Sequence, residues 1–209
     1  MPESLIEGYR RFRDGYYQEH RAQLEALAAG QSPRIAVVSC CDSRVDPAVV
    51  FDTQPGDLFV IRNVASLVPP SESEGQYHGT SAALEFAVTG LGVEHIVVLG
   101  HAQCGGVRAM VDNHKAGKRE PQTFIDRWVS MAHSCLDELT ESGAGEIPSM
   151  KAAEQSAVRL SLKNLQTFPW IAEKLANGTL SLHGWYYDLA TSTIERLETL
   201  EHSPAEVSG

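Results

Sequence analysis

Arg34-Ile-Ala-Val-Val-Ser39 is a short apolar run that leads directly into the polar segment Cys40-Cys-Asp-Ser-Arg44. A second run of the same kind, His95-Ile-Val-Val-Leu-Gly100, leads into His101-Ala-Gln-Cys-Gly-Gly106. Short runs rich in Val and Ile, without alternating polar residues, are typical of strands that are covered on both faces. The two runs therefore predict a sheet that is mainly parallel at its centre.

The rest of the chain supplies further strands and the helices that cover them. Asp57-Leu-Phe-Val-Ile-Arg62 predicts another buried strand, and the segments 179–188 and 192–197 predict antiparallel strands at a sheet edge. Helical patterns lie between the strands, most extensively from Pro121 to Asn177. This alternation predicts an α/β fold with helices on both faces of the sheet.

The length of 209 residues predicts a single domain over residues 1–209, because a domain typically holds roughly 150 residues. Residues 1–29 carry apolar side chains at helical spacing and predict an N-terminal helical arm. We expect this arm to cover an apolar surface, and we favour one on a neighbouring subunit. Residues 200–209 are largely polar and predict a frayed tail.

Composition and charge exclude several classes of function. The 17 Lys and Arg residues against 27 Asp and Glu give a net charge of −10, the wrong sign for a surface that binds nucleic acid. The apolar stretches fall far below the ~18 residues of a membrane span, and the charged N-terminus lacks the apolar core of a secretory signal. We therefore expect a cytoplasmic protein without a membrane span. In a reducing compartment its four cysteines resemble metal ligands or catalytic thiols more than a disulfide framework.

Two motifs that carry chemistry each follow a predicted strand. Ligands of open parallel sheets bind beyond the carboxyl ends of the strands, so Cys40 is expected to meet His101 and Cys104 there. These three residues would hold zinc and leave its fourth position for water, as in catalytic zinc sites. If the backbone stays extended past Cys40, Asp42 and Arg44 point to the same side as Cys40, because the strand period is two. Asp42 could then orient the zinc-bound hydroxide while Arg44 keeps the Asp42 carboxylate ionised. If the pair of Asp42 and Arg44 breaks, Asp42 could instead become the fourth zinc ligand.

The motifs Cys40-x-Asp42-Ser43-Arg44 and His101-x-x-Cys104-Gly105-Gly106 resemble those of the beta-class carbonic anhydrases, which interconvert carbon dioxide and bicarbonate on zinc. The similarity continues through residues 54–65, Gly79-Thr80 with Glu85, and residues 183–187. It implies that Cys40, His101 and Cys104 bind one zinc ion per chain, and that Asp42 and Arg44 position the nucleophile.

The same resemblance has implications for the substrate pocket and for assembly. It implies that Gln31, Phe59 and Phe86 line the substrate pocket at a subunit interface. Because the pocket then draws residues from two chains, we expect at least a homodimer, or a higher homo-oligomer. Carbon dioxide and bicarbonate are the small-molecule partners that the family implies.

The expected function is therefore that of a zinc lyase, the reversible hydration of carbon dioxide to bicarbonate and a proton by metal-bound hydroxide. Two alternatives stay open. Relatives with the same ligand set hydrolyse carbon disulfide or carbonyl sulfide at the same site. A non-catalytic structural zinc protein would instead close the metal site with Asp42 or Cys41, which the presence of Arg44 disfavours.

Overall fold

Five strands form one sheet in the computed structural model, which describes residues 2–72, 78–117, 120–142 and 149–201. The strands are β1 (Ile35–Cys40), β2 (Leu58–Asn63), β3 (His95–His101), β4 (Ser181–Asp188) and β5 (Thr193–Leu200). Their spatial order is β2-β1-β3-β4-β5. The pairs from β2 to β4 are parallel, and β5 runs antiparallel to β4. The predicted parallel centre with an antiparallel edge is confirmed.

Helices surround this sheet and connect its strands. In chain order they are α1 (Glu3–Asp14), α2 (Tyr16–Glu19), α3 (Arg21–Leu27), α4 (Pro47–Val50), α5 (Gly79–Glu85), α6 (Gly105–Lys115), α7 (Phe124–Ser130), α8 (His133–Ser142), α9 (Met150–Leu165) and α10 (Pro169–Ala176). A 3-10 turn over Val64–Ser66 follows β2, and a π turn over Phe86–Gly90 follows α5. None of the described helices is both long enough and apolar enough to span a bilayer.

The core lies on both faces of the sheet, because the central strands are apolar on both. One face packs against α5, α9 and α10 through buried side chains such as Val98, Leu84 and Leu162. The opposite face carries a smaller cluster that includes Val97 and Val45, the latter just before α4. A third cluster joins α6, α7, α8 and α9 at the carboxyl end of the strands. The sequences of the central strands are continuously apolar because other parts of the chain cover both faces of the sheet.

The N-terminal arm is helical, as predicted, but it divides into three helices with breaks at Gly15 and His20. None of its helical residues is buried in the single chain. Leu5, Tyr9 and Phe12, which belong to its apolar stripe, are among the exposed large hydrophobic residues. The contact with a neighbouring subunit stays a prediction.

The ends of the predicted elements differ slightly from those observed. Strand β5 continues to Leu200, so the sheet extends to the first residue of the predicted tail 200–209. Residues 202–209 of that tail lie outside the described residues. Within the predicted helical stretch from Pro121 to Asn177, residues 143–148 also lie outside them, and the described remainder is largely helical.

Candidate metal centre and active site

Three ligand-type side chains meet at the carboxyl end of the two central strands. Cys40 is the last residue of β1 and His101 is the last residue of the neighbouring β3. Cys104 is the N-cap of α6, reached through Gln103, whose φ of 56° turns the chain sharply. The ligand atoms of the three residues all lie within 4.8 Å of one another, and all three residues are buried. The structure therefore brings together the residues that the sequence singled out.

The geometry of the cluster fits zinc. The sulfur atoms of Cys40 and Cys104 are 3.9 Å apart. Two thiolates on tetrahedral zinc, each about 2.3 Å from the metal, would be separated by about 3.8 Å. His101 Nδ1 lies 2.9 Å from the carbonyl oxygen of Ala102, and the Nε2 atom of His101 is buried without a hydrogen-bond partner. A proton on Nδ1 that is donated to this carbonyl leaves the Nε2 lone pair free for a metal.

The chemistry of the two thiols also suits a divalent cation. The hydrogen bond from Cys104 lowers the pKa of Cys40. The same bond, together with burial, raises the pKa of Cys104, although amides at the start of α6 act in the opposite direction. The two thiols therefore favour a state in which Cys104 keeps its proton and donates it to the Cys40 sulfur. A bound cation would replace the remaining proton, because the metal ligand is the thiolate.

Asp42 and Arg44 form a tight pair beside the cluster. Asp42 Oδ1 accepts hydrogen bonds from Arg44 N at 3.0 Å and Nε at 2.9 Å, and Oδ2 accepts from Nη2 at 2.7 Å. These bonds hold the pKa of Asp42 well below its usual range. Nη2 of Arg44 also donates to the carbonyl oxygen of Gln103 at 3.1 Å. Arg44 therefore connects the two loops that carry the cluster.

The backbone reason for this pairing differs from the predicted one. Strand β1 ends at Cys40, and Ser43 and Arg44 lie in a turn. The condition of a segment that stays extended past Cys40 is therefore not met at Ser43 and Arg44. The turn itself brings the amide and the guanidinium of Arg44 to the same oxygen of Asp42.

The first turn of α6 packs against the 3-10 turn that follows β2. A Cβ atom on Gly106 would lie 2.5 Å from Val64 Cγ1, 2.9 Å from Ala65 Cβ and 3.2 Å from Ala65 N. Ala65 has a φ of 66°, a conformation that is uncommon for a residue other than glycine. Gly106 is therefore required by close approach, and this packing holds Cys104 at its position.

Sequence reasoning missed a buried carboxylate behind the cluster. Glu154 of α9 is 3% exposed. Its Oε1 accepts a hydrogen bond from Cys104 N at 3.1 Å, and its Oε2 accepts one from the Tyr186 hydroxyl at 2.8 Å. The sequence did contain an indication of this buried carboxylate. Glu154 is a charged residue on a helix face that is otherwise small and apolar, with Ala153, Ala157 and Val158.

The three predicted substrate-pocket residues are not beside the cluster within one chain. Gln31 is exposed in the loop before β1. Phe59 pairs in register with Ala36, four positions before Cys40, which corresponds to about 13 Å along the strand. Phe86 is 52% exposed, and its ring centroid lies 5.9 Å from that of Phe59. Their role in a pocket stays a prediction that requires a second chain.

Comparison with known proteins adds independent evidence. A family model described as carbonic anhydrase matches residues 35–194. Beta carbonic anhydrase 5, chloroplastic, of Arabidopsis thaliana is 39% identical to this chain over 188 residues. The chain belongs to the beta-carbonic anhydrase family. The resemblance inferred from the sequence motifs is thereby confirmed.

The similarity to other beta-carbonic anhydrases covers most of this chain. The Arabidopsis alignment includes 88% of this chain but 61% of the relative, so the chain spans less than two thirds of that protein. A carbonic anhydrase of Synechocystis sp. is 34% identical over 95% of this chain and 72% of its own length. The structure of the beta-carbonic anhydrase CcaA has a TM-score of 0.85 at 33% identity and 94% coverage of both chains. One of two tetrameric beta-carbonic anhydrases from Sordaria macrospora has a TM-score of 0.79 at 27% identity, over 93% of this chain and 95% of that one.

Proposed function

We propose that this chain is a zinc-dependent carbonic anhydrase that converts carbon dioxide and water reversibly into bicarbonate and a proton. The observation that carries the proposal is the convergence of Cys40, His101 and Cys104 within 4.8 Å, next to the paired Asp42 and Arg44. Membership of the family supports the same reaction.

Cys40, His101 and Cys104 would hold the zinc ion. When bound, zinc supplies a Lewis acid that lowers the pKa of a water molecule at its fourth position. No other Cys, His, Asp or Glu in the described parts of the chain joins the three ligand atoms. The described residues therefore provide three ligands, which is the number typical of catalytic rather than structural zinc sites.

Asp42 would orient the attacking water. Its carboxylate is held by three hydrogen bonds from Arg44, which keep it ionised and therefore able only to accept further hydrogen bonds. A water that donates one O–H to Asp42 would keep an oxygen lone pair available to attack the carbon of carbon dioxide. Arg44 thus acts through Asp42, by fixing its protonation state and its rotamer.

We also propose a homodimer or a larger homo-oligomer. The positions of Gln31, Phe59 and Phe86, far from the cluster of their own chain, support a pocket completed by a partner chain. The exposed apolar stripe of the N-terminal arm supports it as well. Light scattering coupled to size exclusion tests this: a monomer at micromolar concentration would contradict it.

A cytoplasmic location belongs to the same set of proposals. Two relatives are named as chloroplastic and mitochondrial proteins, so the family does not fix the compartment. Fluorescence imaging of the tagged full-length protein in its native cell tests the location.

The decisive test combines metal analysis with a stopped-flow assay of carbon dioxide hydration at alkaline pH. We expect one zinc ion per chain, an acceleration that is lost after chelation, and recovery when zinc is added back. Asp42→Asn should lower kcat by about 100-fold or more while zinc is retained, since orienting and proton-handling groups typically contribute that much. Asp137→Asn, which alters a surface carboxylate paired with His114, is the matched control and should leave kcat unchanged.

Two results would favour the alternatives. Zinc-dependent turnover of carbonyl sulfide or carbon disulfide without hydration of carbon dioxide would replace the proposed substrate. Loss of zinc from Asp42→Asn, with an inactive wild-type protein, would indicate a closed structural site in which Asp42 is a ligand.

A further inference from the structure

Arg62, near the end of β2, reaches across the turn that follows β1. Its Nε donates to the carbonyl oxygen of Cys40 at 2.9 Å, and its Nη2 donates to the carbonyl oxygens of Asp42 and Val45 at 2.8 and 2.9 Å. Its Nη1 lies 3.3 Å from Asp46 Oδ2. Every nitrogen of the guanidinium therefore has a partner at the last residue of β1 or in the turn that follows it.

These contacts matter because the turn is irregular and its carbonyl groups need donors. Its main-chain support includes Cys41 N to the carbonyl of Asn63 at 2.9 Å and Val45 N to the carbonyl of Asp42 at 3.1 Å. A planar guanidinium has five donors in a fixed arrangement and can hold several carbonyls at once, whereas an ammonium group is a flexible point charge. Arg62 therefore links the carbonyl group of Asp42 to that of Cys40.

We propose that Arg62 is a positioning residue for the hydration reaction. It holds residues 41–46 in the conformation in which Asp42 stays paired with Arg44 and faces the site of the attacking water. This inference rests on the proposed function. Arg62 reaches the turn mainly through backbone oxygens, so its effect on turnover passes through the placement of Asp42.

The test compares Arg62→Met with Arg62→Lys and with Arg34→Met. Arg34 is a suitable control because it lies just before the start of β1, at the opposite end of that strand, and pairs with Glu94 at the surface. In protein with one zinc per chain, we expect Arg62→Met to lower kcat at least tenfold with little change in KM. Arg62→Lys should recover only part of the loss, and Arg34→Met should match the wild type. Wild-type kcat in fully zinc-loaded Arg62→Met would overturn the proposal.

A double variant separates positioning from general destabilisation. If Arg62 acts through Asp42, the losses from Arg62→Met and Asp42→Asn should not multiply, and the double variant should resemble Asp42→Asn alone. Losses that multiply would show that Arg62 acts by another route and would overturn the proposal.

Amide hydrogen exchange provides a measurement that does not depend on activity. We expect the amides of Cys41, Arg44 and Val45 to exchange at least tenfold faster in Arg62→Met than in Arg34→Met. An inactive wild-type protein would refute the proposed function, and the exchange comparison would still decide whether Arg62 orders the turn. Unchanged exchange would refute the positioning role.

If Arg62→Met does not fold, Arg62→Lys is expected to show the same changes in smaller measure, and a wild-type result for it would refute the proposal.

Discussion

Replacing Gly106 by Ala should destabilise the protein and weaken the metal centre, although alanine favours helices. A Cβ at this position would lie 2.5 Å from Val64 Cγ1 and 2.9 Å from Ala65 Cβ. Overpacking of this kind typically destabilises by about 1–3 kcal/mol, and the helix preference of Ala over Gly returns about 0.5–1 kcal/mol. Ala65 already holds a φ of 66°, so its backbone has little freedom to move away. We therefore expect a net loss of about 1 kcal/mol in the free energy of unfolding.

Gly105 provides a matched control in the same helical turn. A Cβ at Gly105 would meet nothing within 4 Å, so Gly105→Ala should be neutral or stabilising by up to about 1 kcal/mol. Urea unfolding at one fixed protein concentration should then separate the two variants by about 0.5–1 M in midpoint, for an m-value of about 1–3 kcal/mol per M. Zinc content should fall in Gly106→Ala alone. A Gly106→Ala midpoint at or above that of Gly105→Ala would refute the packing argument.

Three further predictions concern stability. Glu154→Ala leaves the amide of Cys104 and the hydroxyl of Tyr186 without their acceptor, so urea unfolding should show a loss of about 1–3 kcal/mol for each group; an unchanged midpoint would contradict this. Burial raises the pKa of the Cys135 thiol to about 11 in the folded chain. As pH rises, the unfolded chain therefore loses the thiol proton at a lower pH than the folded chain does. Between roughly pH 9 and 11 this difference should lower the free energy of unfolding by about 1.4 kcal/mol per pH unit. Cys135→Ala should therefore show a shallower decline over that interval, and parallel curves for variant and wild type would refute the assignment. Thr123→Ala removes the N-cap of α7 and should lower the free energy of unfolding by about 1 kcal/mol in the same urea experiment. Thr123→Ser retains the capping hydroxyl and is the control.

The sequence predicts the sheet and the cluster of Cys40, His101 and Cys104 because both depend on patterns that are local in the chain. The runs that became β1 and β3 are apolar throughout, and parallel strands necessarily present their carboxyl ends at one edge. Cys40 and His101 are the last residues of those strands, and Cys104 follows His101 by three residues. The meeting of Cys40 and His101 thus follows from the parallel pairing of their strands, whereas Cys104 also needs the sharp turn at Gln103.

The supporting contacts could not be predicted in the same way. Arg62 and Glu154 contact groups that are distant in the chain. Helical periodicity could mark Glu154 only as a charged residue on an apolar face, and it indicates neither residue's partners. The turn at Ser43 and Arg44 depends on the hydrogen bonds of Asp42 and not on a strand pattern. The predicted pocket residues Gln31, Phe59 and Phe86 need a second chain, whose placement a single sequence does not determine.

The long chain separation between the cluster residues has a consequence for biogenesis. Cys40 and Cys104 are 64 residues apart in sequence, although their strands or flanking turns are neighbours in space. In the proposed zinc enzyme, a newly made chain would therefore gain its full set of three zinc ligands only once its central strands have docked. Zinc binding should be among the last events of folding, and the release of zinc on denaturation should coincide with unfolding of the entire sheet.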